Sequence, residues 1–317
     1  MGRHSGCGTV FELSPSGNGS WTEKVLYSFA GRTDGEWPRS NLIFDAAGNL
    51  YGTTSYGGTH SRCETSGGFA VGCGTVFELT PHANGAWAEK IIHNFGVDID
   101  GQIPYSGLIF DKDGNLYGTT SWGGPFVGCD GDGKNQSCGV VFELSPVAGK
   151  GWDEKLFSPT GYGLFTNVAI DSEGNLYGSA ISGGGGAGDC IDDYAVDCGE
   201  VWELSPTGSG SYTSTTLINN GSGSEPSAVT FDASGNFYGT QYATEDSVGD
   251  PVPALIYEMS LNASGGWIYT VFYSFSKAAQ DGFNPSGGLI LDASGNLYGT
   301  TLAGGTYNKG VVYEITP

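Results

Sequence analysis

The chain has 317 residues, 56 of them glycine, with 12 basic against 34 acidic side chains and a formal net charge of −22. That balance excludes nucleic acid, whose phosphates need lysine and arginine, and it disfavours anionic membranes. Aromatic residues at 13% beside charged residues at only 15% describe a turn-rich all-β chain, neither collagen-like nor disordered.

The first 15 residues, MGRHSGCGTVFELSP, contain no apolar core of a signal peptide. Their second half returns as GCGTVFELTP (72–81), SCGVVFELSP (137–146) and DCGEVWELSP (197–206), and more loosely as ALIYEMS (254–260) and GVVYEITP (310–317). A second phrase, NLYGTT, begins at 49, 115 and 296, with variants NLYGSA at 175 and NFYGTQ at 236. Between copies the order is constant. A strand A ends in Asp (NLIFD, GLIFD, NVAID, AVTFD, GLILD), a Gly-Asn turn follows, and LYGTT forms strand B. A glycine-rich loop of variable length leads to strand C (GTVFELTP), and a Gly/Asn turn leads to strand D (WAEKIIHNF). A D–A loop, often with DG and P-x-S, enters the next copy. Asp and Gly-Asn at these places are hairpin chemistry. No apolar period of 3.6 is sustained, so helix is expected to be nearly absent, and no apolar run approaches the ~20 residues that span a bilayer.

Four short strands per tandem unit predict an all-β single domain over 1–317, a β-propeller of four-stranded blades. The units are approximately 1–40, 41–106, 107–166, 167–227, 228–287 and 288–317. A β-sandwich is the alternative, but sandwiches do not repeat at four-strand intervals. The N-terminal C–D pair can complete the C-terminal A–B–C, closing five blades with one strand C in excess. Six positions with incomplete ends are possible and would leave edges exposed.

The phrases GLIFDxxGNLYGTT, GG and GTVFELTP with W-x-E-K resemble the GloVer-type tandem repeat of predicted bacterial secreted and surface-anchored proteins, over essentially the whole chain. The resemblance implies an extracellular, propeller-like protein and carries no agreed activity. The A–B text D-x-x-G-N-x-Y is also similar to NHL and gluconolactonase-like propellers.

Cys73, Cys138 and Cys198 each precede a strand C and have a candidate partner upstream: Cys63–Cys73, Cys129–Cys138 and Cys190–Cys198. Such loop-closing disulfides fit an oxidising compartment, extracellular or at the cell surface. Zinc is the rival reading, with no histidine beside these pairs and unequal spacings. Cys7 occupies the same place with no upstream partner, so the chain is read as beginning inside a repeat, with Cys7 free. That start also accounts for the missing signal peptide.

The B–C and D–A loops vary, and variable loops on a rigid scaffold are where binding tends to sit. They are acidic and aromatic, and the candidate ligand-binding residues are Trp37, Tyr56, Tyr105, Trp122, Tyr162, Gln241, Tyr242, Glu245 and Phe283. Flat rings beside hydrogen-bonding acids suit neutral sugars; the bland alternative is solvated loop charge. Oxygen donors also suit calcium, and CDGDGKNQSC (129–138) offers Asp130, Asp132 and Asn135 as metal candidates. The downstream Glu and flanking helices of an EF-hand are missing. No G-x-S-x-G elbow or Ser/His/Asp set is legible. The recurring strand C glutamates and the strand D lysines (Lys24, Lys90, Lys155) read as cross-strand scaffold pairs, and Trp21, Trp87, Trp152 and Trp267 as core between blades.

Three functions follow. The first is an extracellular propeller whose loop face binds a carbohydrate, a neutral small molecule or another surface ligand. The second is a calcium- or metal-dependent hydrolase of a lactone, ester or phosphotriester, with its site at the propeller axis. The third is a glycoside hydrolase using loop carboxylates.

Overall fold

One aspartate closes each A–B turn. Asp45 Oδ1 accepts the backbone N–H groups of Ala47 and Asn49, and Oδ2 accepts Asn49 Nδ2 and the Tyr51 hydroxyl, at 2.8 to 3.2 Å. Asp111, Asp171, Asp232 and Asp292 repeat the arrangement. The structure, a computed structural model, describes residues 7–60, 63–64, 70–96, 100–125, 139–159, 164, 166–180, 199–219, 227–242, 244–245, 251–276 and 281–316.

The architecture is all-β and antiparallel, a five-blade β-propeller built from four-stranded blades. Two compact units can be distinguished. The first comprises residues 1–126 and 139–156. It holds the hairpin Thr9–Pro15/Trp21–Ser28 and a sheet ordered Ile43–Phe44, Leu50–Thr54, Thr75–Pro81, Trp87–Asn94. Its next sheet runs Ile109–Phe110, Leu116–Gly123, Val140–Val147, Gly151–Phe157, with Gly101–Pro104 also paired to Leu116–Gly123. The second unit has two A–B–C–D sheets, beginning at Ala169–Ile170 and Thr230–Phe231, and a three-stranded sheet of Gly282–Leu291, Leu297–Gly304 and Val312–Ile315. The one helical element among the described residues is the 3-10 turn Arg32–Asp34. No helix among them is long and apolar enough to cross a membrane.

The recurring LYG has a packing cause. Strand side chains alternate faces, and the glycine lies opposite the aromatic of strand C. A Cβ on Gly52, Gly118, Gly178, Gly239 or Gly299 would come 2.2 to 2.7 Å from Phe77, Phe142, Trp202, Tyr257 or Tyr313. Four of these rings are buried and anchor the core.

Within the first unit, hydroxyls tie one blade to the next: Thr53 Oγ1 donates to the Ser106 carbonyl at 3.0 Å and Ser55 Oγ to that of Pro104 at 3.3 Å. Two of the three expected Glu–Lys pairs form between strands C and D, with Lys90 3.7 Å from Glu78 and Lys155 2.8 Å from Glu143; Lys24 stands opposite Glu12 in the first hairpin without an ion pair among the described residues. Trp87, Trp152 and Trp267 pack on the core. Trp21 departs from expectation at 63% exposed; Trp152 and Trp267 each meet a tyrosine of the preceding copy, Tyr51 and Tyr177, and the hairpin of Trp21 is the first among the described residues.

Cys63 and Cys73 form the expected disulfide, buried at the base of a B–C loop. The pairs Cys129–Cys138 and Cys190–Cys198 lie outside the described residues. Cys7 is free and half-buried. Burial, then Glu36 and Asp34, raises its thiol pKa, which keeps it protonated and poorly nucleophilic.

Candidate functional site

The D–A loops carry the text D-G-x-x-P three times, at Asp34–Pro38, Asp100–Pro104 and Asp281–Pro285. In each copy the aspartate turns inward and holds its own loop. Asp34 accepts the Ala30 N–H and the Tyr27 hydroxyl, and Asp281 accepts the Ser276 N–H and, at 3.4 Å, the Tyr273 hydroxyl. Asp100 accepts the Gly96 and Gly101 N–H groups and contacts His93 Nε2 at 3.2 Å. These three acids, expected to decorate the loop face, are therefore bound up in loop structure.

The fourth residue of the motif is left-handed every time: Trp37 at φ 60, Ile103 at φ 57 and Asn284 at φ 59. For a non-glycine residue this costs about 1 to 2 kcal/mol. Backbone hydrogen bonds hold the first two: the Trp37 N–H donates to the Cys7 carbonyl and the Ile103 N–H to the Cys73 carbonyl, both at 2.8 Å. The tail of the B–C loop thus fixes the D–A loop, and in the first copy the result projects a tryptophan.

Trp37 is 45% exposed. The Tyr56 ring meets it edge-on at 5.1 Å, and backbone bonds between Glu36 and Tyr56 join the two loops. Arg39 lies with its guanidinium 4.7 Å from the Trp37 ring centroid and 5.2 Å from that of Tyr105, and Nη1 donates to the Tyr105 hydroxyl. Trp122, 43% exposed, stands where Tyr56 stands in the preceding copy and pairs across the strands with Gln102. Four predicted residues, Trp37, Tyr56, Tyr105 and Trp122, thus fall on loop ends of the first unit, with Tyr56 against Trp37 and Arg39 between Trp37 and Tyr105. Arg39 itself was not among the expected residues; its signal in the sequence was a cation in the variable place of P-x-S, where the next copy has Tyr105.

In the second unit Gln241 is buried, ending strand Phe237–Gln241 opposite Leu255. Tyr242 follows it, half-buried. Glu245 belongs to a short ribbon paired with Pro251–Val252. Phe283 is half-buried and opposite Ala303. Tyr162, Asp130, Asp132 and Asn135 lie outside the described residues.

His93, Asp100 and Glu154 form a group that sequence reading did not assemble. Their ligand atoms lie within 4.8 Å of one another, with His93 Nε2 3.2 Å from both Asp100 Oδ2 and Glu154 Oε1. Burial lowers the His93 pKa, but the Asp100 hydrogen bond and the Glu154 charge outweigh it and the net direction is up. Burial raises Glu154 to about 7, with His93 opposing and Asp100 reinforcing. The trio could hold a metal ion. One imidazole and two carboxylates suit a borderline transition ion better than calcium, which takes six to eight oxygens. The preceding copy, however, builds the same joint without an imidazole. There Tyr27 replaces His93, Asp34 replaces Asp100, and Glu89 replaces Glu154, raised to about 7 by burial and then by Asp34. Glu89 Oε1 is buried with no hydrogen-bond partner, and Glu154 Oε1 is buried with only the ion-pair contact to His93.

No family model matches the chain, so the GloVer-type resemblance is not shown, and no curated protein matches it either. Solved structures similar to it include a protein assigned as a gluconolactonase, at 16% identity over 77% of this chain and 74% of that one, with a TM-score of 0.39. They also include the β-xylosidase RS223, at 12% identity over 88% of this chain and 92% of that one, with a TM-score of 0.41. Similarity at this level says nothing about the activity of this chain.

Proposed function

We propose that the protein is an extracellular repeat propeller whose aromatic loop face, in the first unit, binds a carbohydrate. The observation that supports this most is Trp37, a large ring held out in a strained left-handed backbone and left 45% exposed. Strain concentrates where surrounding structure enforces it for a purpose, and an exposed ring flanked by Tyr56 and Tyr105 offers the stacking surface a sugar needs. The buried Cys63–Cys73 disulfide supports an oxidising compartment. The test is titration with a broad oligosaccharide panel, followed by tryptophan fluorescence and calorimetry. Binding should weaken at least ~10-fold in Trp37→Ala, the scale of a lost aromatic anchor. Silence across the panel, or an unaffected Trp37→Ala, refutes the reading.

A metal-dependent hydrolase is the second reading, and the His93–Asp100–Glu154 group favours it. Against it stands the equivalent joint of Tyr27, Asp34 and Glu89, where a phenol takes the imidazole's place. Elemental analysis and melts with zinc, calcium and EDTA decide between them. A bound ion together with hydrolysis lost in His93→Gln supports the enzyme, and no ion and no shift dismisses it.

A further inference from the structure

We infer that the sugar taken at this face is anionic, a uronic-acid residue whose carboxylate pairs with Arg39; this rests on the carbohydrate reading above. The two flanking rings of Trp37 and Tyr105 fix the guanidinium, and one of its five N–H donors is spent on the Tyr105 hydroxyl. The side chain is otherwise exposed. In a chain with 34 acidic residues against 12 basic ones, no carboxylate among the described residues pairs with Arg39. Lys90, Lys112 and Lys155 each have one. The acids nearest in sequence are committed elsewhere: Glu36 accepts the Arg32 N–H at 3.0 Å and Asp34 the Ala30 N–H at 2.9 Å.

A planar, pre-oriented guanidinium with an unused N–H edge matches a carboxylate in bidentate geometry. Sugar hydroxyls can accept from it but supply no charge. The surrounding acidic protein repels further anions over a Debye length of ~8 Å, so the fit is to a single charged residue in an otherwise neutral oligosaccharide and not to a polyuronate.

The experiment uses matched pairs of gluco-, galacto-, manno- and xylo-oligosaccharides, each neutral, bearing one uronic acid, or bearing one sulfate ester. In the favoured series the uronate form should bind about 10-fold tighter than the neutral form, the scale of a charge-assisted hydrogen bond. In Arg39→Gln the uronate form should lose about 10-fold more affinity than the neutral form, closing the gap, while the melting temperature holds. Arg39→Lys should keep only part of the gap, because an ammonium cannot form the bidentate pair. Equal binding of neutral and uronate forms, still dependent on Trp37, overturns the anionic inference and leaves the carbohydrate reading standing. So does a gap that survives in Arg39→Gln. Preference for the sulfate ester overturns the carboxylate assignment. No binding by any member overturns the carbohydrate reading itself.

Discussion

Replacing both joint carboxyls, Glu89→Gln with Glu154→Gln, should flatten the pH dependence of stability between about pH 5 and pH 8. Burial and the neighbouring Asp34 move Glu89 from 4.5 to about 7. A carboxyl whose folded pKa lies above its unfolded value holds its proton more tightly in the folded state. Its stabilisation is therefore present in full below 4.5 and is lost as the pH climbs to about 7. Glu154 behaves alike. His93, with its pKa raised, adds stability below its ordinary 6.5 that is lost as the pH rises through the folded value. For one carboxyl the change corresponds to about 3.4 kcal/mol at most. Solvent screening at these half-buried positions reduces it to roughly 1 to 2 kcal/mol. The wild type should thus be about 2 to 4 kcal/mol less stable at the higher pH, roughly 3 to 6 °C in Tm for a chain of this size. Calorimetry in about 0.5 M salt screens the diffuse repulsion of an acidic surface but not the joints. If the double variant keeps the wild-type slope there, the joints do not carry the effect.

The Cys63–Cys73 bond closes a loop with a sequence separation of 10, which the chain-entropy relation values at about 2.7 kcal/mol. Replacing both cysteines by alanine should lower the urea midpoint accordingly. It should also speed exchange of the Ile103 amide, which donates to the Cys73 carbonyl; an unchanged exchange rate would mean that the disulfide does not support the strained loop. Gly178→Ala would set a Cβ 2.2 Å from Trp202, an overpacking expected to cost about 1 to 3 kcal/mol. Gly288→Ala, whose Cβ would meet only Ala228 at 3.5 Å, should be near neutral. Equal melting temperatures for the two would refute the packing account of LYG.

What the sequence disclosed was local or periodic. The Asp45 turn clasp joins residues two to six apart, the Lys155–Glu143 pair spans one hairpin, and the Cys63–Cys73 bond closes a single loop. Repetition made each of these visible. Arg39 and Tyr105 are 66 residues apart, and His93 meets Glu154 across two strands D. Such contacts depend on how successive copies pack, which no single phrase records. The acidic loop face was also overestimated. Seen in sequence, Asp34, Asp100 and Asp281 are indistinguishable from solvated charge, and only the backbone donors around them show that they close their own loops.

The joints also account for a substitution pattern in strand D. Loops 29–40 and 95–106 contain an aspartate, and the strands D of the copies they enter carry Glu89 and Glu154. Loops 158–167 and 219–226 contain none, and there the same place in strand D holds Ser214 and Tyr269. Charge alone predicts the reverse, since a second carboxylate beside an aspartate is repelled. One proton held across the pair removes that repulsion, the direction in which burial and the neighbouring aspartate move Glu89 and Glu154. Asp34→Asn separates the two contributions at Glu89. With the charge gone, burial alone should leave its pKa above 4.5 but below the wild-type value of about 7, as read from carboxyl carbon chemical shifts against pH. A Glu89 titration that does not move in Asp34→Asn would mean that burial acts unaided and that no proton is shared across the joint.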